Sequence, residues 1–395
     1  MVRKICVFSG NRAEYGLLSP ILKKLNSSKK INCKFIVSGS HLDKNFGKTI
    51  TEIKTDGIKV YSTLTVPDFD QKKYSFTPIS ISYIIKKVSE LLEKIKPEFM
   101  IIYADRFESF AAAVASSQMG IPTIHIEGGD ITEGGTLDDN VRHAISKISH
   151  LHFTTNEKAK KLLLQMGEEK WRVKNFGSSA IDYIKNKNYA SKKEIETKLK
   201  VKLKSKIVVF TFHPTIIDYR NLENQIKTIL KSLIFIANKK IQIIITFPNS
   251  DFGSIQIIKH LKKIKHRNIF ITKSLGRYYY HGIFALNLNS KNQVCCVGNS
   301  SSGIKETSIF KIPVVNIGDR QKGRLRSSNI FDVKLNYSQI KSKILDCFFS
   351  KKIKIILKNT KNIYGSGNTS QKILKYLIKL NISKQKLLKK KFILD

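Results

Sequence analysis

The feature that most constrains the fold of this 395-residue chain is an alternation of short apolar runs with longer amphipathic segments. Runs such as Phe99–Tyr103 and Ile207–Phe212 are almost entirely apolar, as expected of strands buried on both faces. Segments between such runs, for example Ile79–Lys94, carry apolar residues at helical spacing. The alternation predicts parallel sheets covered by helices, which is the α/β class. Because it restarts near mid-chain, and because the length suffices for two domains, we predict two Rossmann-like halves.

A Lys-rich region, 186–206, separates the two halves and lacks a strong apolar face. We therefore place an N-terminal domain at 1–185 and a C-terminal domain at 186–365. The break at Tyr364–Gly367 precedes a closing helix predicted over Ser370–Leu380.

Charged residues follow the predicted strands of the first half. Asp105 comes just after one buried run and Glu127 just after the next, and Asp138 follows in the same half. The carboxyl ends of parallel strands are where an open α/β sheet binds its ligand. Strand ends also carry carboxylates that only cap helices, but two in register favour a site. Each half places polar groups at its strand ends, and we expect the two sets to face one another across a cleft.

A glycine- and serine-rich turn, Gly298–Glu306, follows the apolar run Val294–Val297 in the second half. A strand, a turn with hydroxyl groups and a helix start together offer unpaired backbone N–H groups to an anion. The carboxylate of Glu306 is suited to accept from vicinal hydroxyls such as a ribose diol. A phosphate next to a ribose indicates a nucleotide. The alternative is that Ser300–Ser302 only caps a helix.

Composition excludes several classes. No apolar run approaches the ~18–20 residues that span a bilayer, and the N-terminus lacks a signal peptide, so we expect a cytoplasmic protein without a membrane partner. The five cysteines predict neither a disulfide framework nor a zinc site. The net charge of +41 would suit nucleic acid, but the positive residues are mostly Lys spread along nearly every helix. We therefore expect no nucleic-acid partner, and we interpret the basic segment 384–391 as a solvated helix end.

Several motifs, in this order and spacing, together resemble the nucleotide-sugar 2-epimerases, and more closely their hydrolysing branch, the UDP-N-acetylglucosamine 2-epimerases of sialic-acid-type sugar synthesis. The resemblance covers nearly the whole chain. It is carried by these segments: Gly10–Gly16, Asp105–Glu108, His125–Asp130, Asp138 with Arg142–Ala144, Phe212–Pro214, Gly298–Gly303 with Glu306, and Asn316–Arg324.

The resemblance implies a glycosyltransferase-B fold in which the C-terminal helix, within 366–395, crosses back onto the first domain. It also implies a reaction without a cofactor or a metal. The proton at C2 of the sugar is removed while the nucleoside diphosphate leaves C1, which gives a 2-acetamidoglucal. Water then adds to the glucal and releases the free manno-configured sugar. A homo-oligomer, dimer or tetramer, is expected.

The resemblance also implies roles for individual residues. The catalytic group comprises Asp105, Glu127, Asp138 and His213, the three carboxylates sharing proton abstraction, protonation and water activation in an order that the sequence leaves open. Because clustered carboxylates repel, at least one should have a raised pKa. His213 is also assigned to the diphosphate. Residues assigned to the nucleotide and its phosphates are Arg12, Ser300, Ser301, Ser302, Gly303 and Glu306. Further possible site residues are Arg142, His143 and Arg320.

One departure concerns the segment 128–137, which is a couple of residues longer than in the simplest UDP-N-acetylglucosamine enzymes. Since this loop is expected beside the sugar, the substrate could carry N-acetylglucosamine or the 2,4-diacetamido-2,4,6-trideoxy sugar N,N'-diacetylbacillosamine, on UDP or GDP. The alternatives are a non-hydrolysing epimerase, a glycosyltransferase of the same fold and a basic nucleic-acid-binding protein. The Phe-His-Pro context of His213 and the basic stretch Gln321–Arg326 favour the hydrolysing branch.

Overall fold

The structure, a computed structural model, describes residues 2–42, 49–67, 75–132, 137–215, 221–249, 253–289 and 291–394. The chain divides into two compact units. The first unit consists of Met1–Ile131, Leu137–Asp182 and Gly365–Asp395, and the second is built mainly from Tyr183–Tyr364. No helix in the described ranges combines the length and apolarity that crossing a membrane requires.

Each unit is organised around one parallel sheet. The strands are β1 (Arg3–Ser9), β2 (Ile31–Ser38), β3 (Val60–Leu64), β4 (Phe99–Tyr103), β5 (Thr123–Ile126), β6 (Leu151–Thr154), β7 (Val173–Asn175), β8 (Lys206–Thr211), β9 (Gln242–Thr246), β10 (Ile269–Thr272), β11 (Gln293–Gly298), β12 (Val314–Ile317) and β13 (Ile330–Val333). The first sheet has the order β3-β2-β1-β4-β5-β6-β7 and the second β10-β9-β8-β11-β12-β13. Both orders are doubly wound, so the prediction of two parallel-sheet α/β halves is confirmed.

Helices connect the strands and cover the sheets. They are α1 (Arg12–Asn26), α2 (Ile50–Thr55), α3 (Phe76–Ile95), α4 (Phe107–Gln118), α5 (Leu137–Ile148), α6 (Glu157–Gln165), α7 (Ala180–Lys185), α8 (Lys192–Leu199), α9 (Leu222–Asn238), α10 (Ser254–Lys262), α11 (Gly276–Ala285), α12 (Ser301–Lys305), α13 (Tyr337–Phe349), α14 (Lys351–Asn359), α15 (Thr369–Lys379) and α16 (Lys384–Leu388).

The core of the first unit lies on both faces of its sheet. Along β1, Ile5 and Val7 join one buried cluster whereas Cys6 and Phe8 join the other, because successive side chains of a strand point to opposite faces. Helix α15 contributes Ile373 and other residues on one helical face to the first of these clusters. The last described helices therefore pack in the first unit, after the chain has passed through the second.

The C-terminal segment is held by one buried and one half-buried cation. The guanidinium of Arg172 is fully buried and donates to the carbonyl of Leu387 at 2.8 Å and to that of Lys389 at 3.0 Å, which satisfies the end of α16. The ammonium of Lys390 donates to the carbonyl of Lys147 at 2.8 Å at the end of α5, and to the carboxylate of Glu168 at 2.8 Å. The interpretation of 384–391 as a solvated helix end is therefore wrong for Lys390, whose charge serves as a helix cap.

Candidate active site

The first polar cluster lies where β4 and β5 end. The two strands are neighbours, with Tyr103 paired to Ile126, so the chain leaves both at the same edge of the sheet. Asp105 follows β4 after Ala104, and Glu127 follows β5 directly. Ala104 and Glu127 both have left-handed backbone conformations, with φ of 57° and 70°. Such conformations cost a non-glycine residue of order 1–3 kcal/mol and concentrate at functional sites, where they turn the chain sharply.

Arg142 is the centre of this cluster. Its side chain is 1% exposed, and it binds Asp105 through Nη2. Its Nη1 donates to Asp139 Oδ1 at 2.6 Å and to the carbonyl of Asp130 at 2.9 Å. Burial lowers the pKa of Arg142, but the charges of Asp105, Asp130 and Asp139 raise it above its usual value. The guanidinium therefore stays charged and fixes the position of Asp105.

The remaining predicted residues of this region lie on α5. Asp138 is half-buried in the first turn of that helix, one turn before Arg142. His143 is also half-buried, and its Nε2 lies 3.6 Å from Asp139 Oδ2. The structure thus brings Arg142 and Asp105 into contact, with Asp138 and His143 on the same helix as Arg142. Of the longer segment noted in the sequence, 128–137, residues 133–136 lie outside the described residues.

His125, on β5, locks the turn that carries Asp105, although sequence reasoning gave it no role. Burial lowers the pKa of His125 to about 3, so the ring is neutral at physiological pH. Its Nε2 lies 2.7 Å from the carbonyl of Ala104, and its Nδ1 lies 3.0 Å from the hydroxyl of Ser146. A carbonyl only accepts, so Nε2 carries the proton and Nδ1 accepts from Ser146. The residue before Asp105 is thereby tied to the neighbouring strand.

The glycine loop after β1 encloses a buried carboxyl group that the sequence analysis also missed. Glu14 is 3% exposed and accepts from the Gly10 N–H at 2.8 Å and from the Ser109 hydroxyl at 2.8 Å. Burial and, to a smaller extent, the charge of Glu108 raise the pKa of Glu14 to about 7. Asn11 and Glu14 form a capping box, and the Asn-x-x-Glu spacing was the available signal. Arg12 begins α1, but its side chain lies outside the described residues.

The second polar cluster lies at the ends of β8 and β11, which are paired up to Thr211 and Gly298. Gly298 has a φ of 132°, and a Cβ there would lie 1.8 Å from the Thr211 carbonyl oxygen, so only glycine fits. This close approach brings Asn299 against His213. The Asn299 side chain accepts from the His213 N–H at 2.7 Å and donates to the His213 carbonyl at 2.8 Å.

Asn299 also joins His213 to the segment that follows β12. The carbonyl of Asn299 accepts from Arg320 Nη1 at 3.0 Å and from the amide of Gln321 at 2.9 Å. His213 is 4% exposed, and its Nδ1 accepts from the Asn249 N–H at 3.2 Å. In the neutral ring the proton is therefore on Nε2. Asn299 lies inside the Gly298–Gly303 motif, but nothing in the sequence indicates that it holds two predicted site residues.

The serine turn, residues 299–303, does not use its first serine as a simple cap. Ser300 is the N-cap residue of α12, but its side chain makes no capping hydrogen bond; its hydroxyl lies 3.0 Å from that of Ser302. Ser302 in turn lies 3.0 Å from the hydroxyl of Tyr280 on α11. Ser301 begins α12, and Gly303 lies against Val314, where a Cβ would come within 3.3 Å of Cγ1.

Glu306 is contacted by a residue of α11, the helix that also carries Tyr280. Glu306 is 7% exposed, and its Oε2 lies 2.6 Å from Nε2 of His281, which is 1% exposed. In the second unit the structure thus brings His213 and Arg320 together through Asn299, and places Ser300, Ser302 and Glu306 on and around one short helix. Within the described ranges no three His, Cys, Asp or Glu side chains are grouped as metal ligands.

Comparison with known proteins places this architecture. The family model described as UDP-N-acetylglucosamine 2-epimerase matches residues 23–378. The chain is 38% identical, over 85% of its own length and 85% of the relative's, to the GDP/UDP-N,N'-diacetylbacillosamine 2-epimerase (hydrolyzing) of Campylobacter jejuni. It is 33% identical, over 94% of both chains, to the UDP-N,N'-diacetylbacillosamine 2-epimerase (hydrolyzing) of Legionella pneumophila.

A solved structure, the UDP-GlcNAc 2-epimerase of Neisseria meningitidis bound to UDP-GlcNAc, superposes with a TM-score of 0.80 at 20% identity, covering 96% of this chain and 100% of that one. The fold is therefore the two-domain α/β fold of the glycosyltransferase-B type, as the sequence predicted. The chain belongs to the UDP-N-acetylglucosamine 2-epimerase family.

Proposed function

We propose that this protein is a hydrolysing 2-epimerase whose substrate is N,N'-diacetylbacillosamine carried on UDP or GDP. The observation that carries the proposal is the pair of relatives that are 38% and 33% identical over most of the chain, both of which bear that hydrolysing activity in their names. UDP-N-acetylglucosamine is the second candidate substrate, favoured by the family description that matches residues 23–378.

The proposed reaction is an elimination followed by a hydration. A carboxylate takes the proton from C2 while the bond between C1 and the diphosphate oxygen breaks, which leaves a glucal and a nucleoside diphosphate. Water then adds across the double bond, with its oxygen at C1 and a proton at C2. The new proton enters on the face of the sugar opposite to the one from which the first was removed, which gives the free manno-configured sugar. A proton at C2 is very weakly acidic, so the base must be held in place and the departing charge neutralised.

We assign these acid–base steps to Asp105, Glu127 and Asp138. The fixed position of Asp105 against buried Arg142 supports the assignment, since a catalytic base needs a defined geometry. The position of Glu127 at the end of the neighbouring strand supports it as well. Arg142 is a positioning residue in this scheme, and His143 lies beside Asp139 on the same helix.

We assign the nucleotide to Arg12, His213, the serine turn and Glu306. His213 carries its proton on Nε2 in the neutral ring, and that N–H is the donor that a leaving phosphate requires. The hydroxyls of Ser300, Ser301 and Ser302 and the small Gly303 suit phosphate oxygens. Glu306 suits the ribose diol. Arg320 acts through Asn299. The expectations of a cytoplasmic dimer or tetramer and of no nucleic-acid partner stay predictions.

The test is a parallel incubation with UDP- and GDP-N,N'-diacetylbacillosamine and UDP-N-acetylglucosamine, with products separated by anion exchange. We expect free 2-epimerised sugar and nucleoside diphosphate in equal amounts, fastest from a diacetylbacillosamine substrate. Equal turnover of UDP-N-acetylglucosamine would remove the preference for the second acetamido group. An epimerised nucleotide sugar without free nucleoside diphosphate would show a non-hydrolysing enzyme instead.

A further inference from the structure

Helix α11 reaches two separate parts of the segment to which we assign the nucleotide. Its consecutive residues Tyr280 and His281 contact Ser302 and Glu306. Successive side chains on a helix diverge by about 100°, so two neighbours can hold two different groups at once. Neither residue was singled out by the sequence, in which Tyr280 is one of three successive tyrosines.

The contact of His281 with Glu306 fixes one oxygen of the carboxylate. The distance of 2.6 Å between Nε2 and Oε2 is short for a nitrogen donor and an oxygen acceptor. Both residues are buried, and the Phe310 ring packs 5.9 Å from the imidazole. Among the described residues no second hydrogen bond to Glu306 is found, so its other oxygen can accept from a ligand.

The other nitrogen of the same imidazole does not help to orient the ring. Nδ1 of His281 is buried and has no hydrogen-bond partner among the described residues. Leaving a ring nitrogen unpaired is a cost, and buried polar groups are normally paired. Among the residues that the structure describes, Glu306 is therefore the one polar contact of this buried ring, which argues for a specific role of that contact.

The contact of Tyr280 acts on the other part of the segment. Its hydroxyl lies 3.0 Å from Ser302, which lies 3.0 Å from Ser300. Burial raises the pKa of Tyr280 well above its ordinary value, so the group stays a hydroxyl that can donate. When Tyr280 donates to Ser302, the Ser302 proton is free to be donated onward, to Ser300 or to a ligand.

Helix α11 is itself fixed to the chain that enters the second unit. A Cβ on Gly282 would lie 2.5 Å from the Ala190 carbonyl oxygen, so the helix packs there with no space to spare. The Ala190 N–H donates to the Tyr278 carbonyl at 3.0 Å, and the Arg277 guanidinium lies 3.3 Å from the centre of the Tyr183 ring. Groups placed by a fixed helix are held more accurately than groups placed by a loop.

We propose that α11 is the positioning element of the nucleotide site, in which His281 orients Glu306 toward the ribose diol and Tyr280 orients the Ser302 hydroxyl toward a phosphate oxygen. The inference rests on the proposed function, since it specifies how that site is held. Both residues act through another side chain, so they are positioning residues and not catalytic ones.

The test measures binding of UDP, GDP and 2′,3′-dideoxy-UDP by calorimetry to the wild type and to variants. His281→Leu should weaken UDP binding roughly 10- to 100-fold, as expected for a lost hydrogen bond to a charged group. It should leave dideoxy-UDP binding nearly unchanged, because that ligand has no diol for Glu306. His281→Gln, which keeps an N–H near the Nε2 position, should recover most of the UDP affinity.

Tyr280→Phe should weaken UDP and dideoxy-UDP equally, by roughly 3- to 10-fold. Tyr279→Phe is the matched control, since it makes the same change one residue away, and it should change neither affinity. Equal losses of UDP and dideoxy-UDP in His281→Leu, or no rescue by His281→Gln, would overturn the proposed role of His281. A wild type that binds neither UDP nor GDP would instead overturn the proposed function itself.

Discussion

The two units hold their strand-end residues by different physical means. In the first unit a buried cation, Arg142, is surrounded by Asp105, Asp139 and the carbonyl of Asp130. In the second unit the side-chain amide of Asn299 and a chain of hydroxyl groups hold the strand-end residues through hydrogen bonds. The difference matches the tasks that we propose, because proton transfer needs carboxylates held in place whereas a phosphate is bound by groups that donate hydrogen bonds. Changes in the cluster around Arg142 should therefore affect turnover, and changes in the network around Asn299 should affect nucleotide binding.

The sharpest contrast should come from the carboxylates. Glu127→Gln and Asp105→Asn should each lower turnover about 10²- to 10⁴-fold, the contribution typical of general acid–base groups. Their affinity for UDP or GDP should stay close to that of the wild type. Turnover is measured as the release of nucleoside diphosphate, and affinity is measured by calorimetry. Asp56→Asn, which alters a carboxylate paired with Lys23 in the same unit, is the control and should keep wild-type turnover. A variant that lost nucleotide affinity and kept turnover would break the comparison.

Arg142→Met tests whether the first cluster depends on its cation. Removing this buried cation leaves the half-buried carboxylates of Asp105 and Asp139 without their partner, and the free energy of unfolding should fall by about 3–5 kcal/mol. Urea titration measures the change. Lys87→Met removes the exposed ion pair with Glu90 and should leave the unfolding midpoint where it is. If the two variants unfold at the same urea concentration, the cluster is not held by charge.

Asn299→Ala tests the neutral network of the second unit. The buried N–H and carbonyl of His213 would lose their partners, at a cost of about 2 kcal/mol in the free energy of unfolding. Affinity for UDP or GDP should fall because His213 loses its hydrogen-bond partner and Arg320 is no longer joined to it through the Asn299 side chain. Asn299→Asp retains an acceptor for the His213 N–H and should lie between the wild type and the alanine variant. Unchanged nucleotide affinity in Asn299→Ala would show that the network has no part in binding.

A smaller effect should appear as acid sensitivity of the first unit. Burial lowers the pKa of His125 to about 3 and that of His150 to about 4, and it also lowers the pKa of His152. At His125 and His150 the unfolded chain binds protons between pH 6.5 and about 4 that the folded chain does not, so these two groups lower the free energy of unfolding as the pH falls. Each of these two histidines contributes about 1.4 kcal/mol per pH unit in that range. Urea titrations at several pH values should show a shallower dependence for His150→Gln; an unchanged dependence would contradict the account.

The sequence predicted the sheets because strands buried on both faces are apolar throughout, as β4 is. It also predicted that Asp105 and Glu127 lie at one edge of the sheet, because the carboxyl ends of neighbouring parallel strands lie at the same edge. It could not predict which distant groups meet there. Arg172 caps a helix more than 200 residues away, and His281 reaches Glu306 across 25 residues. Such contacts depend on how helices pack, which periodicity does not record.

The most direct measurement is the isotopic composition of the product formed in D₂O. The enzyme is incubated with UDP-N,N'-diacetylbacillosamine, its GDP counterpart and UDP-N-acetylglucosamine, and the released sugar is observed by NMR. We predict that the free manno-configured sugar carries one solvent deuterium at C2 and that nucleoside diphosphate is released with it. A free sugar that keeps the original hydrogen at C2 would contradict removal of that proton by the carboxylates of the first unit.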